Sequence, residues 1–204
     1  MYTPPAFAED RPEVMVGLIE TYPLGMLITH GADGPTANLI PMQWSAETQS
    51  LQCHLAKANP QIAELRDMAA HGHSALIVFQ GPHAYISPRH YATKAETGKV
   101  VPTWNFLMVQ VRGIPVVTDD ALWLRRQLDA LTDQMEGALP SPWAVADAPE
   151  SFVTSQMRGI VGVEIPASQM AGKWKASQNR SAADRLGVKA GLGDNPLAAA
   201  VPDC

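Results

Sequence analysis

Two spacings of apolar residues alternate along this chain and mark out its elements. Asp10 followed by Glu13 opens like a capping box, and Val14, Leu18 and Tyr22 then fall on one helical face, which predicts a helix over residues 11 to 22. Leu24 to Thr29 is short and apolar, Gly31-Ala32-Asp33-Gly34 has turn chemistry, and Thr36 to Trp44 again has strand character, so a hairpin is expected. Leu51 to Leu55 gives a third strand, Pro60 to Ala70 a helix, and Ala75 to Gln80 a strand that Gly81-Pro82 should end.

Residues 86 to 99 have no period and read as a loop, whereas Val101 to Val117 is rich in β-formers and reads as one long strand bent at Gly113 and Pro115. In that strand Trp104, Phe106 and Met108 share one face and Leu107, Val109 and Val111 the other. Both faces are therefore expected to be covered, one by a barrel interior and the other by a helix or a second subunit. Asp119 or Asp120 should cap a helix through Leu122, Leu124, Leu128, Leu131 and Met135 that ends at Pro140 and Pro142. A helix over 149 to 158 and a strand over Ile160 to Ile165 closed by Pro166 complete roughly six strands and four helices, and a further short helix over 182 to 190 is expected after the basic turn that begins at Gly172. The small-residue tail from Gly193 to 204 is expected to be mobile, outside a single domain over residues 1 to 192.

Composition narrows the function classes. At 204 residues and 46% hydrophobic content the chain can bury one sizeable core, and a net charge of -5 with pI near 5.6 argues against a surface built as a whole to hold nucleic acid. Cys53 and Cys204 are far apart and form no CxxC pair, which fits a reducing compartment. The first residues lack a basic region followed by an apolar run, and no stretch approaches the roughly 18 apolar residues of a membrane span, so a soluble, cytoplasmic protein is expected.

Three segments carry candidate chemistry. In His54-Leu55-Ala56-Lys57-Ala58-Asn59-Pro60 a strand ends and a helix begins, so free backbone N–H groups, the helix dipole and Lys57 converge where an anion is favoured. Read alone, this is also what an ordinary capped helix with a solvated lysine looks like. In Val101-Pro102-Thr103-Trp104-Asn105, Thr103 and Asn105 offer hydrogen bonds and Trp104 a broad apolar surface, the combination a flat heterocycle needs, though a core tryptophan gives the same pattern. Gly172 to Arg180, with Arg185 and Lys189 beyond it, is the most basic region and suits phosphate, a nucleic-acid strand or plain solvent. His71-x-His73 lacks companions at zinc spacing, Ser87 lacks a G-x-S-x-G elbow, and neither a P-loop nor G-x-G-x-x-G follows any strand.

Taken in order, Ala37-Asn38-Leu39-Ile40-Pro41, His54 to Pro60, Phe79-Gln80-Gly81-Pro82, Ala84-Tyr85-Ile86-Ser87-Pro88, Gly98 to Asn105 and Gly172 to Asn179 resemble the PaiB family, over about Met1 to Leu192. Cys53, where small residues are usual, and Ala176, where a larger apolar residue is common, are departures that remove no polar candidate. The resemblance implies an α+β, mainly β fold, the FMN-binding split β-barrel, an antiparallel Greek-key barrel with peripheral helices similar to pyridoxamine-phosphate oxidases. It also implies a homodimer with FMN at the subunit interface.

By the same resemblance Asn38 and Ile40 lie along the flavin strand, and His54, Lys57 and Asn59 hold the flavin edge or phosphate. Gln80 contributes from the next strand, Thr103, Trp104 and Asn105 approach the ring, and Lys175 closes the site from its own subunit or the partner. The implied chemistry is flavin redox, with no catalytic acid or base evident. Two other functions remain open: negative transcriptional regulation, on DNA directly or through a partner, and haem binding or degradation with His54 or His90 as axial ligand.

Overall fold

The computed structural model describes residues 1–203, and ten strands and six helices lie among them. In chain order they begin with β1 (Ala8–Glu9), α1 (Pro12–Thr21), β2 (Leu24–Gly31), β3 (Gly34–Pro41), β4 (Gln43–Ser45), β5 (Ser50–Ala56) and α2 (Gln61–Ala70). There follow β6 (Ala75–Ile86), α3 (Thr93–Thr97), β7 (Thr103–Gly113), β8 (Val116–Thr118), α4 (Ala121–Glu136), α5 (Glu150–Met157), β9 (Ile160–Pro166), β10 (Gln169–Lys175) and α6 (Ala182–Leu192). Two compact units, each built from non-contiguous stretches, can be told apart among these residues. The first comprises Met1–Leu18, Gln80–Gln110 and the chain from Ala171 onward, and the second Ile19–Phe79 and Val111–Met170. Among the described residues no helix is long and apolar enough to cross a membrane.

The second unit contains the expected hairpin, with β2 and β3 paired from Leu24↔Pro41 to Gly31↔Gly34 and β2 also antiparallel to the start of β6. Gly34 takes φ +105°, a turn conformation that L side chains avoid. A four-stranded antiparallel sheet of order β4-β5-β9-β8 lies in the same unit. Leu51, Cys53 and Leu55 of β5 alternate into the core opposite Ile165, Val163 and Val161 of β9, as the period of two requires. Burial pushes the Cys53 thiol up to about 12, so it carries no nucleophilic thiolate at neutral pH. On the opposite face Gly162 leaves room for α4: a Cβ there would lie 2.3 Å from the Trp123 ring. The Asp120 carboxylate caps α4, accepting from the N–H groups of Leu122 and Trp123 at 2.7 and 3.1 Å.

In the first unit the strand order is β1-β10-β7-β6, and Ile86, Tyr91, Val188 and Val201 form a buried cluster backed by Ala84, Val100 and Leu192. Gly81-Pro82 does not end β6. The strand runs through to Ile86 because Gly81 is packed so closely that a Cβ would lie 2.9 Å from Leu18 Cδ1 and 3.3 Å from Leu107 Cβ. Residues 86 to 99 contain a 3-10 turn and α3 rather than loop alone. At the start of α1 the carboxylate engaged is that of Glu9, which accepts from the Arg11 backbone N–H and guanidinium.

The long strand is also different from its expected form. Asn105, Leu107, Val109 and Val111 are buried, but on the other face Trp104 is 54% exposed and Phe106 and Met108 are only half-buried, so within one chain β7 is covered once. Chain after the break at Ile114-Pro115 joins the second unit's sheet as β8. The small-residue tail carries a 3-10 turn over Pro196–Ala200 and buries Leu197 and Val201. Short side chains let it pack closely, and Cys204 lies outside the described residues.

Candidate functional site

The residues singled out from the sequence fall into two groups, one in each unit. Asn38, Ile40, His54, Lys57 and Asn59 belong to the second unit. Asn59 sits where β5 gives way to α2, and its Oδ1 accepts the Gln61 backbone N–H at 3.0 Å, satisfying one of the free donors at the helix start. Gln61, which sequence reasoning did not single out, is fully buried and ties this corner to the hairpin. Its Oε1 accepts from Asn38 Nδ2 at 2.8 Å, and its Nε2 donates to Thr29 Oγ1 at 2.9 Å and to the Leu27 carbonyl at 3.3 Å. Thr29 and Thr36 donate in turn to the Glu64 carboxylate. Replacing Gln61 by leucine strands the Thr29 and backbone acceptors, and should lower unfolding stability by about 1–2 kcal/mol in a denaturant titration; a change under about 0.3 kcal/mol would show the network to be dispensable.

Ile40 is half-buried on β3 opposite Gly25. His54 points its Nδ1 at Gln127 Oε1 on α4, 2.8 Å away, and Gln127 is itself 1% exposed with its Nε2 unpaired. Lys57 is half-exposed, with its Nζ 3.7 Å from Asp119 Oδ1, while Arg66 Nη2 lies 3.2 Å from Asp119 Oδ2.

Gln80, Thr103, Trp104, Asn105 and Lys175 belong to the first unit, and β10, hidden in a segment that reads as merely basic, brings Lys175 to Thr103. Lys175 Nζ donates to Thr103 Oγ1 at 2.5 Å. Among the described residues Lys175 has no ion-pair partner, and burial, followed by the nearby charges of Lys173 and Arg180, holds its amine below the ordinary lysine value. Asn105 Nδ2 donates to Ser177 Oγ at 2.8 Å, with both residues buried, and fixes Ser177 at φ +64°, a left-handed conformation costly outside glycine. The exposed Trp104 ring stands 6.0 Å edge-on from Tyr85 and 6.1 Å from His83, which hydrogen-bonds Gln80 at 3.0 Å. The only prior signal for Ser177, His83 and Tyr85 was their position inside or beside the quoted motifs.

Much of the remaining basic segment is used internally. Arg180 stacks over the Tyr91 ring at 4.7 Å, Arg185 donates to the carbonyls of Arg180, Pro202 and Asp203, and Lys189 pairs with Asp203 at 2.6 Å. His90 is wedged against α6, where a Cβ on Gly191 would lie 2.0 Å from its Nδ1 and one on Gly187 2.0 Å from its carbonyl oxygen.

Comparison with known proteins bears on the family and the fold. The family described as "Putative FMN-binding domain" matches residues 1–169, a span that stops just short of Lys175. An uncharacterized protein of Emericella nidulans is 34% identical over 227 residues, covering 94% of this chain and 90% of its own. The protease synthase and sporulation protein PAI 2 of Bacillus subtilis is 27% identical, covering 92% and 87%. Among solved structures, the FAD and heme binding protein from Mycobacterium smegmatis superposes with a TM-score of 0.61 at 19% identity, covering 82% of this chain and 73% of that one. The fold class is the one expected, a mixed α+β split barrel with antiparallel sheets. With the family matched over residues 1–169 and the Emericella relative similar across nearly the whole length, the chain belongs to the FMN-binding domain family.

Proposed function

We propose that this chain binds FMN as a homodimer, and that the flavin ring is met by Lys175, Thr103 and Trp104 of one copy while its phosphate is met by Lys57 of the other. One observation carries the reading. Lys175 is a half-buried cation held against Thr103 with no ion-pair partner among the described residues, and such a charge is stabilised by an anionic or electron-rich ligand edge. Trp104 beside it offers the apolar surface a flat ring needs, and the open side of β7 formed by Trp104, Phe106 and Met108 is the face a second copy would cover.

Bound FMN would supply electron or hydride transfer. The chain's own residues bind and orient it: Lys175 places positive charge at the ring edge, Thr103 fixes the Lys175 ammonium, and Asn105 with Ser177 holds the turn that follows β10. A reading as a direct DNA binder has less to stand on, since Arg180, Arg185 and Lys189 are engaged within the chain. The test is titration of purified protein with FMN, followed by flavin absorbance and by sedimentation. A shifted visible spectrum at one FMN per chain in a dimer is expected, and free-flavin spectra at every protein concentration would end the proposal.

A further inference from the structure

In the second unit a cavity of about 300 Å³ is lined by Lys57, Ile62, Arg66, Asp119 and Val161, and a cleft of about 410 Å³ shares Lys57 and Asp119 with it. The Asp119 carboxylate spans two cations at that boundary, with one oxygen 3.7 Å from Lys57 Nζ and the other 3.2 Å from Arg66 Nη2. We infer that Lys57 and Arg66 form a two-cation site for a phosphate monoester and that Asp119 is its built-in competitor. The inference rests on the FMN reading and deepens it by adding Arg66 and Asp119 to the phosphate end.

The chemistry is one of matching acceptors. A carboxylate divided between two cations presents the same kind of charge-assisted acceptors as a phosphate, with less charge and fewer oxygens. With Asp119 in place the three side chains sum to one positive charge. When it swings out, two positive charges face a ligand that carries -1.5 to -2 near neutral pH, roughly equal and opposite. Displacement is cheap because all three side chains are 50 to 56% exposed, where ion pairs are weak.

Asp119 is also free of the obvious structural duty at this corner, since Asp120 alone caps α4. At the start of α2 the Gln61 N–H is already taken by Asn59, which leaves the lysine and arginine side chains as the main donors. Placing the competitor inside the site would set a threshold: a dianionic phosphate displaces Asp119, whereas riboflavin, which lacks the phosphate, gains nothing by doing so.

The test uses the full chain and two probes. Sodium phosphate is titrated by NMR against wild type, Asp119→Asn and Arg66→Ala, and FMN and riboflavin are titrated against the same proteins by flavin fluorescence. Phosphate should bind about two- to fivefold more tightly to Asp119→Asn and more weakly by a similar factor to Arg66→Ala, with FMN following and riboflavin unmoved. Phosphate affinity that is equal in all three proteins overturns the inference, even if FMN binds. Phosphate affinities that follow the predicted order while neither flavin binds would support the two-cation site and defeat the FMN reading instead. Both substitutions are at exposed positions, and a circular dichroism melt confirms that each variant is folded.

Discussion

Lys175→Gln is expected to weaken FMN and riboflavin alike, by about 10- to 100-fold. The range follows from losing one charge-assisted hydrogen bond at a partly dehydrated site, worth about 1.5–3 kcal/mol, at 1.4 kcal/mol per factor of ten. Because the proposed contact is with the ring, the ratio of FMN to riboflavin affinity should not change, which would separate this residue from the phosphate corner proposed at Lys57. Lys175→Arg should recover part of the loss, since it keeps the charge but not the shape of the amine.

The pH dependence follows with a definite sign. Burial, then Lys173 and Arg180, lower the folded amine below 10.5, so between that lowered value and 10.5 the unfolded chain binds more protons and unliganded stability rises with pH. In the proposed site flavin affinity should move the opposite way and fall as pH climbs through the folded value, because only the ammonium would attract the ring edge. Denaturant titration of the unliganded protein across the alkaline range checks the first trend, and isothermal titration with flavin checks the second. Affinity that is flat with pH, or equal in wild type and Lys175→Gln, removes Lys175 from the site.

What the sequence revealed depended on how local the cause was. The β2–β3 hairpin, the Asp120 cap and the buried alternation of Leu51, Cys53 and Leu55 each follow from neighbours within a few residues, and all are present. Gly81-Pro82 misled because the reason for the glycine lies in Leu18 and Leu107, far away in the chain. β10 was missed because Lys173 and Lys175 alternate with Gly172 and Trp174 on a half-buried strand, a pattern without the apolar period that announces one. For the candidate site, motif order points to Lys57, Thr103 and Lys175, but a partner such as Asp119, 62 residues beyond Lys57 in the chain, has no local signal. Gln61 escaped because a glutamine after Pro60 looks like ordinary helix surface until the hairpin closes over it.

The largest stability effect is expected where β7 ends. A Cβ on Gly113 would lie 1.8 Å from the Pro166 carbonyl oxygen, 2.9 Å from its carbon and 3.0 Å from Ile165 Cγ2. The first two are backbone atoms, so no rotamer change relieves the clash and one strand end must move. Ser168 Oγ donates to the Arg112 carbonyl at 2.9 Å across the same junction, which ties both segments in place and resists that movement. Gly113→Ala should therefore cost about 3 kcal/mol, at the upper end for overpacking, and lower Tm by about 6–12 °C for a chain of this size. A conservative control is Gly17→Ala in α1, where a Cβ meets nothing within 4 Å and alanine favours the helix. If Gly113→Ala melts within about 2 °C of wild type in calorimetry, the tight crossing of β7 and the end of β9 is not how the second unit is held together.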